Sequence, residues 1–210
     1  MGLLVESDFE EVTIERLKQQ GYDYLHGQEL FQLGERERLQ EVVLVGRLQR
    51  FLSQKYPNIP DEEIRRLANL FINNEGGGWE ERNYYFHRKS IKGIEFSYEV
   101  NGEEDVQLVF PIDWENPENN DFLVVNQFSI EGRMSRRPDI IIFVNGLPLV
   151  LFELKNPNSE NATVHDAYTQ VRNYTHDISQ TFEYNAFTVI SDGTETKHGM
   201  PSAPYDFFAS

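Results

Sequence analysis

Cysteine is absent from the 210-residue chain. Disulfides and thiolate metal ligands are therefore excluded, which fits a reducing compartment, and we expect a cytoplasmic location. Zinc binding by histidine finds no support, because His165 and His176 lie about three helical turns apart and cannot share an ion. No window approaches about 18 uninterrupted apolar residues, and the opening residues turn acidic without a basic stretch. We therefore expect no contact with a membrane and no secretory signal.

Basic residues are scarce in this chain. Nineteen Lys and Arg stand against 35 Asp and Glu, which gives a formal net charge of −16. Because binding of duplex DNA is dominated by basic residues that neutralise phosphates, this composition argues against tight autonomous DNA binding. It does not exclude DNA chemistry, because the distribution of charge matters more than its sum. Such an activity would need a local basic patch or a tethered partner that holds the DNA.

Two widespread catalytic motifs are also missing. The glycines at 76–78 lead to Trp79 and not to Lys-Ser/Thr, so the chain has no phosphate-binding loop for ATP. A Gly-x-Ser-x-Gly motif does not occur, and no cysteine can serve as a nucleophile. Neither ATP hydrolysis nor a nucleophilic triad is therefore expected of these residues.

The spacing of apolar residues predicts the order of helices and strands. Helical spacing occurs over 8–20, 36–55, 61–74 and 162–177. After a break at Gly76–Gly78, strands are predicted over 94–100, 106–112, 122–129, 139–144, 148–155 and 186–191, in addition to a short strand over 22–26. The order indicates an α/β fold, with a central mixed sheet flanked by helices and a helical insertion near residues 36–75.

Three charged residues stand at the ends of two strongly apolar runs. Asp139 opens the first run, and Glu153 and Lys155 close the second. Charged residues are scarce in buried strands, because their desolvation is costly unless they are paired or bind a metal. Glu153 and Lys155 are two positions apart, so on a strand they project from the same face.

The turn between the two runs decides whether the acids can meet. Regular pairing around a two-residue Asn145-Gly146 turn would place Asp139 opposite Phe152. The two acids would then lie on opposite faces of the sheet. A three-residue loop, or a bulge, would instead bring Asp139 opposite Glu153. If the two acids share a metal ion, the second arrangement must hold.

Two acids and a lysine in this arrangement suit metal-dependent hydrolysis of a phosphodiester bond. Hard oxygen ligands favour Mg²⁺, and an adjacent ammonium group can position water and stabilise developing charge. Asp139 and Glu153 are then the candidate ligands, the Leu154 carbonyl is a further one, and Lys155 is the catalytic cation. A plain salt bridge between Glu153 and Lys155 at the end of a strand explains the spacing equally well.

The same residues resemble the PD-(D/E)xK nuclease superfamily. Pro138-Asp139 is followed, after thirteen residues, by Glu153-Leu154-Lys155. More specifically, the chain resembles the N-terminal nuclease domain of the restriction subunit of type I restriction–modification enzymes. The likeness covers almost the whole chain and is carried by the segments 122–128, 137–139, 145–149, 153–157, 184–187 and 191–193.

This resemblance implies a restriction-endonuclease-like core over residues 1–199, with residues 200–210 starting a linker to absent motor domains. It implies a Mg²⁺-dependent endonuclease that cuts unmodified foreign DNA after translocation driven by ATP, which only the motor domains would bind. The implied partners are double-stranded DNA and the modification and specificity subunits of the complex. Two alternatives stay open, namely a docking module with a degenerate site and a nuclease of another repair or defence system.

The resemblance also implies three residues on the flanking helices. Gln170 and Tyr174 match a Gln-x-x-x-Tyr motif that supports the site or contacts DNA, and Glu10 matches an acid of the opening helix that contributes to the metal site. Four-residue spacing puts Gln170 and Tyr174 on one helical face, as an ordinary amphipathic helix also would. Glu11 and Glu15 lie close to Glu10, and an acid in a first helical turn is expected from the helix dipole alone.

Several arginines are candidates for contacts with DNA phosphates. Arg133, Arg136 and Arg137 directly precede Asp139, and Arg172 lies on the later helix. Clustered on the active face, they would form a basic patch that the net charge hides. Alternatively, they only offset neighbouring acids.

Overall fold

A central six-stranded mixed sheet organises the computed structural model, which describes residues 6–156 and 162–210. The strands are, in chain order, β1 (Asp23–His26), β2 (Ile94–Val100), β3 (Glu103–Val109), β4 (Phe122–Asn126), β5 (Ile130–Glu131), β6 (Ser135–Arg136), β7 (Ile140–Val144), β8 (Leu147–Leu154), β9 (Phe187–Ser191) and β10 (Thr196–Gly199). The large sheet has the order β1-β4-β7-β8-β9-β10, and β2–β3 and β5–β6 form separate hairpins. Residues 1–5 and Pro157, which belongs to the family signature, lie outside the described residues.

Helices flank this sheet, as the sequence predicts. They are α1 (Glu6–Gln19), α2 (Glu29–Gln32), α3 (Val45–Lys55), α4 (Asp61–Ile72), α5 (Trp79–Lys92), α6 (Val164–Asp177) and α7 (Ser179–Phe182). Both α1 and α6 pack against β8. All five residues of β7 are buried, so the centre of the sheet is covered on both faces. Within the described ranges, no helix is long and apolar enough to cross a membrane.

The predicted helix over 36–55 is wrong in its first half, because α3 begins only at Val45. The cause is Arg36, whose buried guanidinium donates to three backbone carbonyls, including that of Ser129 at 2.7 Å. The guanidinium also lies 3.9 Å from the ring centroid of Phe128. These contacts hold the segment before α3 in an irregular conformation, in which carbonyls bind a side chain instead of closing helical turns.

Helix α5 is not predicted by the sequence pattern, which changes to strands after Gly78. Its buried positions are Asn83, Phe86 and Ser90, so two of its three core-facing residues are polar. Asn83 is nevertheless satisfied there, because its amide donates to the carbonyls of Phe182 and Asn185. The hydrophobic periodicity of α5 is therefore weak, although one face of the helix is buried. The helical region of the chain extends to Lys92.

The β7–β8 hairpin combines the two alternatives that the sequence leaves open. Its turn has two residues, Asn145 and Gly146, both with positive φ, and Val144 pairs with Leu147. A bulge between Ile142 and Phe143 then shifts the register by one residue, so that Ile140 pairs with Phe152. The next pair along the ladder is Asp139 and Glu153. The bulge therefore brings the two acids opposite each other, as the metal-site hypothesis requires.

The segment after β10 packs back onto the sheet and α6. Ala209 pairs with His198, and Phe208 is buried in the core. The Tyr168 hydroxyl donates to the carbonyl of Ala203. Residues 200–209 thus contribute to the packing of the domain, and the linker predicted to start at residue 200 remains a prediction.

Candidate active site

The end of β8 places an acid and a lysine side by side in a largely buried position. Glu153 is 1% exposed, and its Oε1 accepts a hydrogen bond from Lys155 Nζ at 2.7 Å. Leu154, between them, is buried on the opposite face. The salt bridge that spacing alone predicts is therefore present, but it engages only one of the two carboxylate oxygens.

Asp139 lies opposite Glu153, at the position directly before β7. Its Oδ2 accepts a hydrogen bond from the backbone N–H of Leu154 at 2.7 Å. In an extended strand the N–H and C=O of one residue point to the same side. The Leu154 carbonyl therefore faces the Asp139 side of β8, which is where its predicted role as a ligand requires it.

The second oxygen of Glu153, Oε2, is buried and has no hydrogen-bond partner within the described residues. Burial raises the pKa of Glu153 to about 8, and the negative charge of Asp139 adds to this effect. Lys155 opposes the rise, as does the Tyr174 hydroxyl to a smaller degree, but neither cancels it. A buried carboxylate oxygen without a donor is costly, and a cation beside the two acids would satisfy it.

Helix α6 brings Gln170 and Tyr174 to Lys155. The helix begins at a capping box formed by Thr163 and Asp166. One turn further on, Gln170 Oε1 accepts from Lys155 Nζ at 2.6 Å, and Gln170 Nε2 donates to the Tyr174 hydroxyl at 2.6 Å. Tyr174 is buried, and burial together with the Glu153 charge raises its pKa. The network fixes the direction in which the lysine points.

Glu10 is the acid of α1 that faces inward, because Glu11 and Glu15 are exposed. It is 8% exposed and accepts hydrogen bonds from Asn126 Nδ2 at 2.7 Å and Gln127 Nε2 at 3.1 Å. Across residues 6–156 and 162–210, no three acids or histidines cluster closely enough to hold an ion. The structure thus brings Asp139 and Glu153 together and leaves Glu10 outside such a cluster.

Gln127 links Glu10 to Asp139 and has no role in the sequence-based interpretation. Its backbone N–H donates to the Asp139 carbonyl at 3.3 Å, while its side chain holds Glu10. Its φ of 53° is unusual for a residue other than glycine. Polar residues that close an apolar strand were the signal used for Glu153 and Lys155, and Asn126 and Gln127 close β4 in the same way.

The candidate arginines lie in three different settings. Arg136 forms an ion pair with Asp177, with Nε at 2.7 Å and Nη2 at 2.6 Å from Oδ2. Arg137 is exposed. Arg172 lies roughly 200° around α6 from Gln170 and donates to the carbonyl of Pro201. The structure therefore places Arg136 and Arg137 near Asp139 and turns Arg172 away from the site.

The six-stranded mixed sheet, with two carboxylates and a lysine at the ends of its central strands, is consistent with the fold of PD-(D/E)xK nucleases. A family model, described as the N terminus of the type I restriction enzyme R protein, matches residues 4–207. The chain belongs to this family.

Two relatives illustrate the likeness. The type I restriction enzyme HindI endonuclease subunit of Haemophilus influenzae is 36% identical over 214 residues, which covers 98% of this chain and 20% of the relative. The type I restriction enzyme EcoprrI endonuclease subunit of Escherichia coli is 28% identical over 200 residues, covering 92% of this chain and 58% of the relative. The chain thus spans about a fifth of the HindI subunit.

Proposed function

We propose that this chain is the Mg²⁺-dependent DNA endonuclease domain of a type I restriction enzyme R subunit. The observation that carries the proposal is the buried Glu153 oxygen without a donor, beside a second acid and a single lysine. A purely structural salt bridge would not need Asp139 opposite Glu153. The names of the relatives, which are endonuclease subunits, support the same reaction.

Asp139, Glu153 and the Leu154 carbonyl would hold the ion, because hard oxygen ligands suit Mg²⁺ and the ion keeps several waters. Glu10 would act at longer range, through such a water. When bound, Mg²⁺ polarises the phosphoryl oxygen and lowers the pKa of bound water. The second oxygen of Glu153 would then acquire the positive partner that it lacks among the described residues.

Lys155 would stabilise the negative charge that develops on the phosphate, and its ammonium would orient the attacking water. The hydrogen bonds to Glu153 and Gln170 fix the position of this ammonium before substrate arrives. Gln170 is fixed in turn by the Tyr174 hydroxyl. A preorganised cation does not have to reorient during the reaction, so its full charge acts on the transition state.

The whole enzyme would cut unmodified foreign DNA after translocation driven by ATP. ATP would bind to motor domains outside this chain, and modification and specificity subunits would complete the complex. This part of the proposal rests on the family resemblance, and the relatives' names add that they are endonuclease subunits of type I restriction enzymes. A tethered complex would also explain how a chain with a net charge of −16 acts on DNA.

Incubation with plasmid DNA and Mg²⁺ tests the proposal. We expect weak cleavage by the unsubstituted chain, and a loss of about 10²–10³-fold for Asp139→Ala and for Lys155→Ala. Lys55→Ala is the matched control, since Lys55 also pairs with a buried acid, Asp113, but in a separate part of the fold. Its cleavage rate should stay within about twofold of the unsubstituted rate, as expected for a position outside the site.

Cleavage that survives both Asp139→Ala and Lys155→Ala in folded protein would exclude the proposed site. Absence of any cleavage, both by the chain and by the reassembled enzyme, would favour a docking module with a degenerate site. Circular dichroism of each variant separates loss of chemistry from loss of fold.

A further inference from the structure

A small hairpin directly before Asp139 carries a cluster of basic residues. Strands β5 and β6 pair through Ile130 with Arg136 and through Glu131 with Ser135. Residues 130–137 contain three arginines against one glutamate, in a chain where acids outnumber basic residues nearly two to one. The hairpin leads directly into Pro138 and Asp139.

The hairpin is fastened to the C-terminal end of α6. The backbone N–H of Arg133 donates to the Asp177 carbonyl at 2.7 Å, and the Arg136 guanidinium pairs with the Asp177 carboxylate at 2.6 Å. Gly132 fits closely against the same carbonyl, since a Cβ at this position would lie 2.3 Å from the oxygen. Asp177 therefore holds the hairpin through both its main chain and its side chain, while Leu39 and Gln180 bind the backbone of Glu131 on the other strand.

The same helix connects the hairpin to the catalytic network. Asp177 follows Tyr174 by about one helical turn, and Tyr174 binds Gln170, which binds Lys155. The position of the hairpin is thereby set relative to the proposed reacting groups. A rigid mounting of this kind reduces the entropy lost when a surface binds its partner.

The three arginines of the hairpin differ in whether their guanidinium groups are paired or exposed. Arg136 is committed to Asp177. Arg133 and Arg137 are exposed, and neither forms an ion pair within the ranges 6–156 and 162–210. They flank the anchored residue, and their exposed guanidinium groups are accessible to a ligand. Arginine forks match the geometry of phosphate oxygens.

We propose that the β5–β6 hairpin contacts backbone phosphates of duplex DNA through Arg133 and Arg137, while Arg136 only anchors it through Asp177. This inference rests on the proposed nuclease function, and it separates the arginines that bind DNA from the one that positions them. Phosphate contacts of this type fix the register of a duplex without reading its sequence. The hairpin would thus set which phosphodiester bond lies over Asp139 and Glu153.

Binding of a labelled duplex, measured by fluorescence anisotropy without Mg²⁺ so that the DNA stays intact, tests the contacts. Each phosphate contact contributes about 0.9 to the slope of log K against log salt. Arg133→Gln and Arg137→Gln should therefore each lower the slope by about 0.9, and weaken binding by about eightfold at 0.1 M salt. Arg65→Gln, at an exposed arginine of α4, is the matched control and should change neither quantity.

Asp177→Ala separates anchoring from plain electrostatics. Removal of an acid near DNA should tighten binding if only net charge matters. If the hairpin needs its anchor, Asp177→Ala should instead weaken binding, and Arg136→Gln should weaken it without adding to the effect of Asp177→Ala. Asp177→Ala that binds as tightly as the unsubstituted protein, or more tightly, would overturn the anchoring role.

The two proposals fail in different ways. Cleavage that depends on Asp139, with duplex binding unchanged by Arg133→Gln and Arg137→Gln, would overturn the hairpin inference and keep the nuclease. Loss of binding in these two variants, without cleavage by any variant, would keep the hairpin contact and remove the nuclease. Absence of measurable duplex binding by the unsubstituted protein would overturn the inference outright.

Discussion

Two buried carboxylates in this protein are paired with a lysine, yet their electrostatic situations are opposite. Asp113 is 4% exposed and lies 2.6 Å from Lys55 Nζ, and Glu153 is 1% exposed and lies 2.7 Å from Lys155 Nζ. Hydrogen bonding to Lys55 holds the pKa of Asp113 well below its usual range. Burial raises the pKa of Glu153 to about 8.

The number of donors explains the difference. The carboxylate of Asp113 also accepts from Asn119 Nδ2 at 3.0 Å and from the Asn116 N–H at 3.1 Å, so both oxygens are satisfied. Glu153 accepts one hydrogen bond, from Lys155, and its Oε2 has no partner at hydrogen-bond distance among the described residues. The nearby Tyr174 hydroxyl lowers the pKa of Glu153 only slightly, and a second acid lies opposite. A buried ion pair is thus structural where every oxygen has a donor, and it marks a candidate site where one does not.

Matched amide substitutions should have opposite consequences for cleavage. Glu153→Gln removes the charge of a proposed Mg²⁺ ligand, so we expect plasmid cleavage with Mg²⁺ to fall by about 10²–10³-fold. Asp113→Asn should leave the initial rate within about twofold at temperatures where the variant is folded. Equal losses in both folded variants would erase the distinction between the two pairs.

The pH dependence of stability should reveal the raised pKa of Glu153. Between pH 4.5 and about 8, the folded protein binds more protons at Glu153 than the unfolded chain does. The free energy of unfolding should therefore fall across this window, by about 5 kcal/mol, and level off above it. Urea denaturation without divalent metal checks this. Glu153→Gln should remove that decline, and a curve that keeps the same slope after the substitution would contradict the assignment.

The same two substitutions should change stability in opposite directions. Asn at position 113 places an NH₂ group either against Lys55 and the Asn119 amide or against the Asn116 N–H, whichever way it turns, so we expect a loss of about 2 kcal/mol. Gln at position 153 can turn its oxygen to Lys155 and its NH₂ to the bare position, so near pH 7 we expect a gain of about 1–2 kcal/mol. Denaturant midpoints in metal-free buffer measure both. A gain for Asp113→Asn would show that its hydrogen bonds are not satisfied.

Added Mg²⁺ should stabilise the folded protein only while both Glu153 and Asp139 keep their carboxylates. At ten times its Kd, a ligand adds about 1.4 kcal/mol, or roughly 3–6 °C in Tm for a chain of this size. Differential scanning fluorimetry with increasing Mg²⁺ should show this shift in the unsubstituted protein and in Asp113→Asn. A shift of the same size in Glu153→Gln or Asp139→Asn would place the ion elsewhere.

Sequence patterns did not predict helix α5 or the irregular segment before α3, and each failure has a physical reason. Helix α5 turns Asn83 and Ser90 inward, so its apolar stripe is interrupted. The segment before α3 has helical spacing, but Arg36 binds the Ser129 carbonyl 93 residues away. In both cases a polar group is satisfied by a partner that is distant in the chain, and local periodicity does not register such partners.

The sequence by itself identified Asp139, Glu153 and Lys155 as the candidate site, because a charge at the end of a buried strand must be paired or must bind a ligand. It also predicted the two strands at whose ends Asp139, Glu153 and Lys155 lie. Only the tertiary structure decided that the acids face each other, because a single bulge in β7–β8 sets their register. It alone decided which oxygen of Glu153 lacks a donor, and which arginines are already bound, because such contacts depend on residues brought together by folding.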